Sequence, residues 1–250
     1  NFTLLHDDIM DDAPLRRGKQ TVHEKWDTNI AILSGDTMLV QAYQLMAEVD
    51  QSIVKEVLAV FSKAAIEVCE GQQWDMNFET QDDVSIADYL KMIEYKTSVL
   101  LAAALQIGAI TANASKVDAN HLYEFGRNMG IAFQLKDDLL DAFGNPDTFG
   151  KQVGGDILAN KKTYLYLKAL EVSNPEQYKE LNTYFSNPAV DNEKKIEAVK
   201  SIFSELEIPS LTTDLMKEYH NKAMRHLAAV SAPNKEGLLH FSELLLDRVS

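Results

Sequence analysis

Residues 122–141 read LYEFGRNMGIAFQLKDDLLD. Apolar side chains at Leu122, Phe125, Met129 and Phe133 recur every three or four positions, and Leu135 and Leu139 continue the buried side. That is the period of one buried helix face, so the stretch predicts a long core helix. Two features need a reason. Gly126 and Gly130 lie inside the pattern, where glycine costs about 1 kcal/mol against alanine; close approach of another helix is the expected reason. The far end carries Asp137-Asp138-x-x-Asp141. On a helix Asp137 and Asp141 stand one above the other, where like charges repel.

Working outward, the same helical grammar fills the chain. Further runs are Tyr89, Met92, Ile93, Leu100 and Leu215, Tyr219, Ala223, Leu227. The prolines at 14, 146, 175, 188, 209 and 233 fall in gaps between runs; inside a helix each would cost about 3 kcal/mol. Helices are expected near 2–12, 27–48, 51–69, 85–112, 117–143, 157–171, 175–186, 190–203, 210–230 and 234–248. No alternating strand run or repeat period is visible, so the fold class is all-α, one helical bundle. The loop at 144–155 is long, glycine-rich and charged, and is expected to carry function. Cys69, Trp26 and Trp74 read as packing residues.

The 250 residues carry 24 Lys+Arg against 38 Asp+Glu, a net charge of −14. That excludes broad nucleic-acid or anionic-membrane binding, which needs basic surface. The single cysteine excludes a disulfide framework, and the plain reading is an intracellular, cytoplasmic protein. The longest apolar stretch, 99–112, is broken by Gln106 and is shorter than the roughly 20 residues that span a bilayer, so no membrane insertion is expected. The chain begins at Asn1 and reaches a charged motif within six residues, which points to further sequence upstream.

That motif is Leu4-Leu5-His6-Asp7-Asp8-Ile9-Met10-Asp11-Asp12. Asp7 and Asp11 repeat the repulsive spacing of Asp137 and Asp141. Two copies of one self-repelling pattern point to a cation held by oxygen ligands. Mg²⁺ fits, being hard and commonly held by one or two carboxylates plus substrate phosphates. If the two helices face each other, they line a cavity with room for several ions. Arg16 and Arg17 follow the first motif, on a turn set by Pro14, and arginine forks suit phosphate oxygens. Lys96-Thr97, Lys151 and Lys161-Lys162-Thr163 are further cationic candidates. Acidic and basic groups together point to a metal-bridged diphosphate.

HDDIMDDAPLRRGK, EGQQWDMNFE, YKTSVLL, FQLKDDLLDAFG and GKQVGGDILANKKT occur in this order. The whole chain, 1–250, thereby resembles the trans-type isoprenyl diphosphate synthases of the polyprenyl synthetase family, of farnesyl or geranylgeranyl diphosphate synthase type. The resemblance implies an all-helical bundle around a deep cavity, a homodimer, and head-to-tail condensation of an allylic diphosphate with isopentenyl diphosphate. It implies that Asp7 and Asp11, with Asp8, bind two Mg²⁺ ions, and that Asp137, with Asp138 and Asp141, binds a third. Arg16, Lys96 and Lys161 would hold the allylic diphosphate with Lys151 close by, and Arg17 would contact isopentenyl diphosphate. Thr97 and Gln134 would sit near the reacting carbons. Gln72 and Gln73 would line the cavity, with Asp75 near the metal. The family's upstream Gly-Lys-x-x-Arg motif and histidine would precede this sequence, so the domain is expected to lack its N-terminal helices.

In this family a bulky residue beside the first motif stops the growing tail. Phe2 is five positions before Asp7, about 7–8 Å along a helix, and would set a C15–C20 product, C20 favoured. Three other readings are a terpene cyclase, a metal phosphohydrolase prompted by His6-Asp7, and a non-catalytic partner subunit. The second Asp-Asp-x-x-Asp motif and the Arg16-Arg17 pair favour the synthase.

Overall fold

The computed structural model describes residues 2–144, 153–186 and 191–247. The helices are α1 (Phe2–Met10), α2 (Val22–Lys25), α3 (Thr28–Ala47), α4 (Val54–Phe78), α5 (Ile86–Ile93), α6 (Val99–Thr111), α7 (Lys116–Phe143), α8 (Gly155–Leu158), α9 (Tyr164–Val172), α10 (Pro175–Ser186), α11 (Asn192–Glu205), α12 (Ile208–Ala229) and α13 (Glu236–Asp247). A π-helical turn, Glu94–Ser98, joins α5 to α6, and a short hairpin pairs β1 (Leu15–Arg16) with β2 (Lys19–Gln20). The all-α expectation holds. The chain divides into two compact units, Asn1–Lys63 and Ala64–Ser250, with the boundary inside α4 and not in a linker.

In the first unit, α1 ends where its backbone closes on itself. The Ala13 amide donates to the Asp8 carbonyl (2.9 Å) and the Asp12 amide to the Ile9 carbonyl (3.4 Å), with Asp12 at φ 48°. This pattern of a left-handed residue just past the last turn satisfies carbonyls that a helix end leaves unpaired. Aspartate tolerates the left-handed region, and Pro14 cannot extend the helix. The chain then reverses through Arg17 (φ 53°) and Gly18 (φ 72°). Two positive-φ residues between paired strands match the twist of a hairpin. The sequence reading found this turn but not its strands, which are two residues each, too short to alternate. The buried Thr21 hydroxyl closes the hairpin base, donating to the Ala13 carbonyl at 2.7 Å.

The helix α3 starts at Asp27, whose side chain accepts from the Ile30 amide at 2.8 Å. It packs on α1 through Gly35, where any Cβ would overlap the His6 ring. That ring is held 3.2 Å from the Ile32 carbonyl oxygen. Trp26 corrects the packing expectation: it is 57% exposed, with the Lys25 ammonium 4.5 Å over its ring.

The second unit is organised on α7, which packs against α6 and α12. Phe125, Met129 and Leu135 are fully buried, as their period requires. The two glycines have the expected reason. A Cβ on Gly126 would come within 2.8 Å of the Ala102 Cα, and one on Gly130 within 2.6 Å of the Ser98 Cα. Ser85 and Asp88 cap α5 reciprocally, and Pro175 and Pro209 sit at helix starts, where a missing N–H costs nothing.

Two boundaries differ from expectation. The helix placed at 51–69 runs on to Phe78, so the Gln72-to-Asp75 stretch is helical, and Cys69 lies exposed on it instead of in the core. The helix placed at 157–171 is two, α8 and α9, and Lys161 sits between them. The helix expected at 85–112 is found as the helical run Ile86–Thr111; its 26 residues exceed the apolar stretch read from sequence, and by length and composition it could cross a membrane. Its apolar character has a packing reason: Tyr89, Met92, Ile93, Val99, Ala102 and Ile110 are buried in the protein's own core.

Candidate active site

Each unit carries one acidic motif. In the first unit Asp7 and Asp8 lie on the last turns of α1, and the hairpin brings Arg16 back to them. Its Nε donates to Asp8 Oδ1 at 2.6 Å and its Nη2 to Asp7 Oδ2 at 3.1 Å. The Asp8 carboxylate is only 6% exposed, so Arg16 supplies the countercharge that burial demands. Two of its five N–H donors are thereby used, leaving the rest of the fork for an anion. Asp11, Arg17 and, further out, Asp12 are exposed, and Phe2 is half-buried in the first turn of α1.

In the second unit a polar chain crosses from the π turn to α7. The Thr97 hydroxyl donates to Gln134 Oε1 (3.2 Å), and Gln134 Nε2 donates to Asp138 Oδ1 (3.0 Å). The Tyr89 hydroxyl donates to the other oxygen of Asp138. Asp141 works differently: its Oδ2 accepts the Asp156 amide (3.0 Å) and its carbonyl accepts the Gly154 amide (2.6 Å), which anchors the start of α8. Lys96 Nζ lies 2.6 Å and Lys161 Nζ 3.8 Å from Asp75 Oδ2, so one carboxylate gathers two ammonium groups from separate elements. Asp138, Asp141, Asp156 and Lys161 line a small cavity with Thr163 and Tyr166. Gln72 keeps a buried Nε2 without a hydrogen bond, while Gln73 is exposed and donates to Asn77 at 3.0 Å. Lys151 lies outside the described residues.

The π turn that carries Lys96 and Thr97 is pinched between two glycines. Gly130 of α7 abuts Ser98, and Gly71 of α4 abuts the backbone of Tyr95 and Lys96. Trp74 stacks on Tyr95 with ring centroids 5.0 Å apart. One extra residue per turn is the usual mark of a π segment at a working site. The sequence reading missed Tyr89 and Asp156 as parts of this centre. Tyr89 looked like any apolar-face residue. Asp156 had a signal, since it closes Gly154-Gly155-Asp156 in a quoted motif.

The donor set fits Mg²⁺. The two motifs offer only aspartate oxygens, with no cysteine or histidine in either Asp-Asp-x-x-Asp set, the preference of a hard cation. The second motif also carries surplus buried negative charge. Burial, followed by the Asp156 charge, pushes the Asp138 carboxyl up to about 8, the pattern a bound cation relieves. Burial, followed by the Asp138 charge, likewise raises the Tyr89 phenol well above its ordinary range.

A pH dependence follows for the metal-free protein. A folded-state pKa above the unfolded one means that the folded chain holds this proton more tightly. Its stabilisation is full below the unfolded value and is lost as pH rises through about 8. With chelator present, the protein should melt higher at pH 5 than at pH 8 relative to Asp138→Asn, which has no proton to lose there. Equal slopes in thermal melts of the two proteins would contradict it.

Known proteins resemble the chain in sequence and in fold. A sequence model of the polyprenyl synthetase family matches residues 1–204. A geranylgeranyl diphosphate synthase of Methanosarcina mazei is 45% identical over 173 residues, 68% of this chain and 53% of that protein. A geranylfarnesyl diphosphate synthase of Natronomonas pharaonis is 43% identical over 171 residues, 68% of this chain and 50% of that protein. The match thus spans about half the length of these two relatives. A crystal structure of a geranylgeranyl pyrophosphate synthase superposes with a TM-score of 0.93 at 50% identity, covering 100% of this chain and 78% of that one.

Proposed function

The chain belongs to the polyprenyl synthetase family, and we propose that it condenses an allylic diphosphate head-to-tail with isopentenyl diphosphate into a linear trans-prenyl diphosphate of C15–C20, C20 favoured. One observation carries the reading: two Asp-Asp-x-x-Asp helices occur in a chain that also concentrates cations, Arg16 on the first motif and Lys96 with Lys161 on Asp75. The family in general uses Mg²⁺. In this proposal Asp7, Asp8 and Asp11 hold two ions and Asp137, Asp138 and Asp141 a third.

Bound Mg²⁺ supplies positive charge against the diphosphate as it leaves. The chain's own groups do the rest. Arg16, Lys96 and Lys161, with Lys151, bind the allylic diphosphate and stabilise the charge that grows on it as the carbon–oxygen bond breaks, the bonding pair leaving with oxygen. Thr97 and Gln134, oriented by the hydrogen-bond chain to Asp138, turn their oxygens toward the allylic cation. Arg17 positions isopentenyl diphosphate, whose alkene pair forms the new carbon–carbon bond. A proton then passes from the adjacent carbon to the released diphosphate, restoring a double bond. Gln72 and Gln73 line the cavity, and apolar walls exclude water. The proposal treats residues 1–250 as one polyprenyl synthetase domain acting in a cytoplasmic homodimer.

The test is product length with Mg²⁺, isopentenyl diphosphate and, separately, C5, C10 and C15 allylic diphosphates. A linear C20 diphosphate is expected. Hydrocarbon alone would favour a cyclase, and free phosphate alone a hydrolase. Phe2 is the proposed floor. Phe2→Ala should extend the product by at least one C5 unit, toward the C25 named for the Natronomonas pharaonis relative. An unchanged distribution would remove Phe2 from that role.

A further inference from the structure

His23 is the least explained polar side chain in the first unit. Its imidazole is only 7% exposed, and neither Nδ1 nor Nε2 has a hydrogen-bond partner. Buried imidazole nitrogens are normally paired. The Nε2 instead points at two carboxylates, lying 4.0 Å from Asp12 Oδ1 and 4.0 Å from Glu24 Oε1. The three donor atoms lie within 4.8 Å of one another.

We propose that Asp12, His23 and Glu24 bind one transition-metal dication of the Zn²⁺ class, at a site separate from the Mg²⁺ carboxylates. The donor chemistry selects the metal. One imidazole nitrogen with two carboxylate oxygens suits a borderline cation, whereas Mg²⁺ takes oxygen and water. The geometry needs little change. Donors at about 2.0–2.1 Å from a tetrahedral ion stand roughly 3.4 Å apart, so each carboxylate oxygen must close on Nε2 by about half an ångström, and the two oxygens must draw together. Asp12 is 96% and Glu24 47% exposed, free to turn, while His23 is fixed by burial. Three protein ligands leave a fourth position for water.

The placement gives the site a consequence. Asp12 is the left-handed residue that ends α1, directly after Asp11, and His23 and Glu24 lie on α2, just beyond the hairpin. A bound ion would staple the two ends of the segment that carries Arg16 and Arg17. The fold would then hold two kinds of metal within one short stretch of chain: hard-ion carboxylates on α1 and a histidine-containing staple behind them.

The experiment is equilibrium dialysis of the chelator-stripped protein against Zn²⁺ in the presence of a large excess of Mg²⁺. One Zn²⁺ per chain should be retained. His23→Gln should weaken retention by tenfold or more, and Glu24→Gln, a conservative change at an exposed position, by a similar direction and smaller factor. His6→Gln, which alters an imidazole lying 3.6 Å from Asp36 Oδ1 in the same unit, should retain the ion, as should Asp7→Asn. Retained Co²⁺ should lose its visible absorption in His23→Gln. No Zn²⁺ retained against Mg²⁺, or retention equal to the parent's in both His23→Gln and Glu24→Gln, overturns the proposal. Should His23→Gln fail to fold, the Glu24→Gln comparison decides.

Discussion

Asp7→Asn should lower kcat by about 10²–10³-fold, the range seen when one preorganised charge-stabilising group is removed from a reacting centre, while the protein stays folded. The fold is spared because the pair that is lost, Asp7 with Arg16 Nη2 at 3.1 Å, is partly exposed at 19% and 33%. Such pairs contribute about 0–1 kcal/mol. Arg16 keeps its shorter bond to the more buried Asp8, so no charge is stranded. Activity is not spared, because asparagine keeps the shape of the ligand and loses the charge that holds a hard cation. The loss should be partly recovered at high Mg²⁺, which separates a weakened ion site from a misfolded one. The check is kcat across an Mg²⁺ titration, with a thermal melt alongside. A kcat within threefold of the parent at every Mg²⁺ concentration would remove Asp7 from the metal site.

Gly71→Ala should be the most damaging single methyl group in the second unit. A Cβ there would lie 2.7 Å from the Tyr95 carbonyl carbon and 2.8 Å from the Lys96 Cα, nearer still to the Lys96 amide nitrogen. These are backbone atoms, which cannot rotate away, so α4 or the π turn must move. Overpacking of this kind costs roughly 1–3 kcal/mol, occasionally more. The displaced segment is the one that carries Lys96 and Thr97, so a shift of about 1 Å should also reduce turnover by about 10²-fold. Gly108→Ala is the internal control. Nothing lies within 4 Å of its added Cβ, and alanine in α6 should stabilise by up to about 1 kcal/mol. Denaturant melts and initial rates of the two variants form the test. If Gly71→Ala matches Gly108→Ala in both, the tight contact at the π turn is not as described.

The sequence made α7 legible because its information is periodic. Leu122 through Leu139 repeat one face for five turns, and the two glycines could be assigned to close packing before any neighbour was known. The same holds for the acidic motifs, whose spacing is itself the signal. What stayed hidden is non-periodic or depends on a distant partner. The π turn adds one residue to a helix, yet the apolar residues on either side of it, from Tyr89 to Leu100, read in sequence as one ordinary helix. The need for glycine at 71 exists only because Lys96 arrives from elsewhere in the unit. The hairpin 15–20 has strands too short to alternate, although Arg17-Gly18 carried a turn signal. Arg16 was assigned to a phosphate from its type and place, and the structure finds it on Asp7 and Asp8. Cys69 was placed in the core by its apolar neighbours, yet it faces outward, because one residue's shift in phase moves a side chain by 100° around a helix.

The most direct test of the central claim is a single-turnover reaction with labelled isopentenyl diphosphate, in which diphosphate release and new carbon–carbon bonds are counted together. Expected are one diphosphate released per isopentenyl unit incorporated, complete dependence on Mg²⁺, and both signals slowed together in Asp7→Asn and in Asp137→Asn. Release of diphosphate or phosphate without incorporation, or turnover that survives chelation, would contradict it.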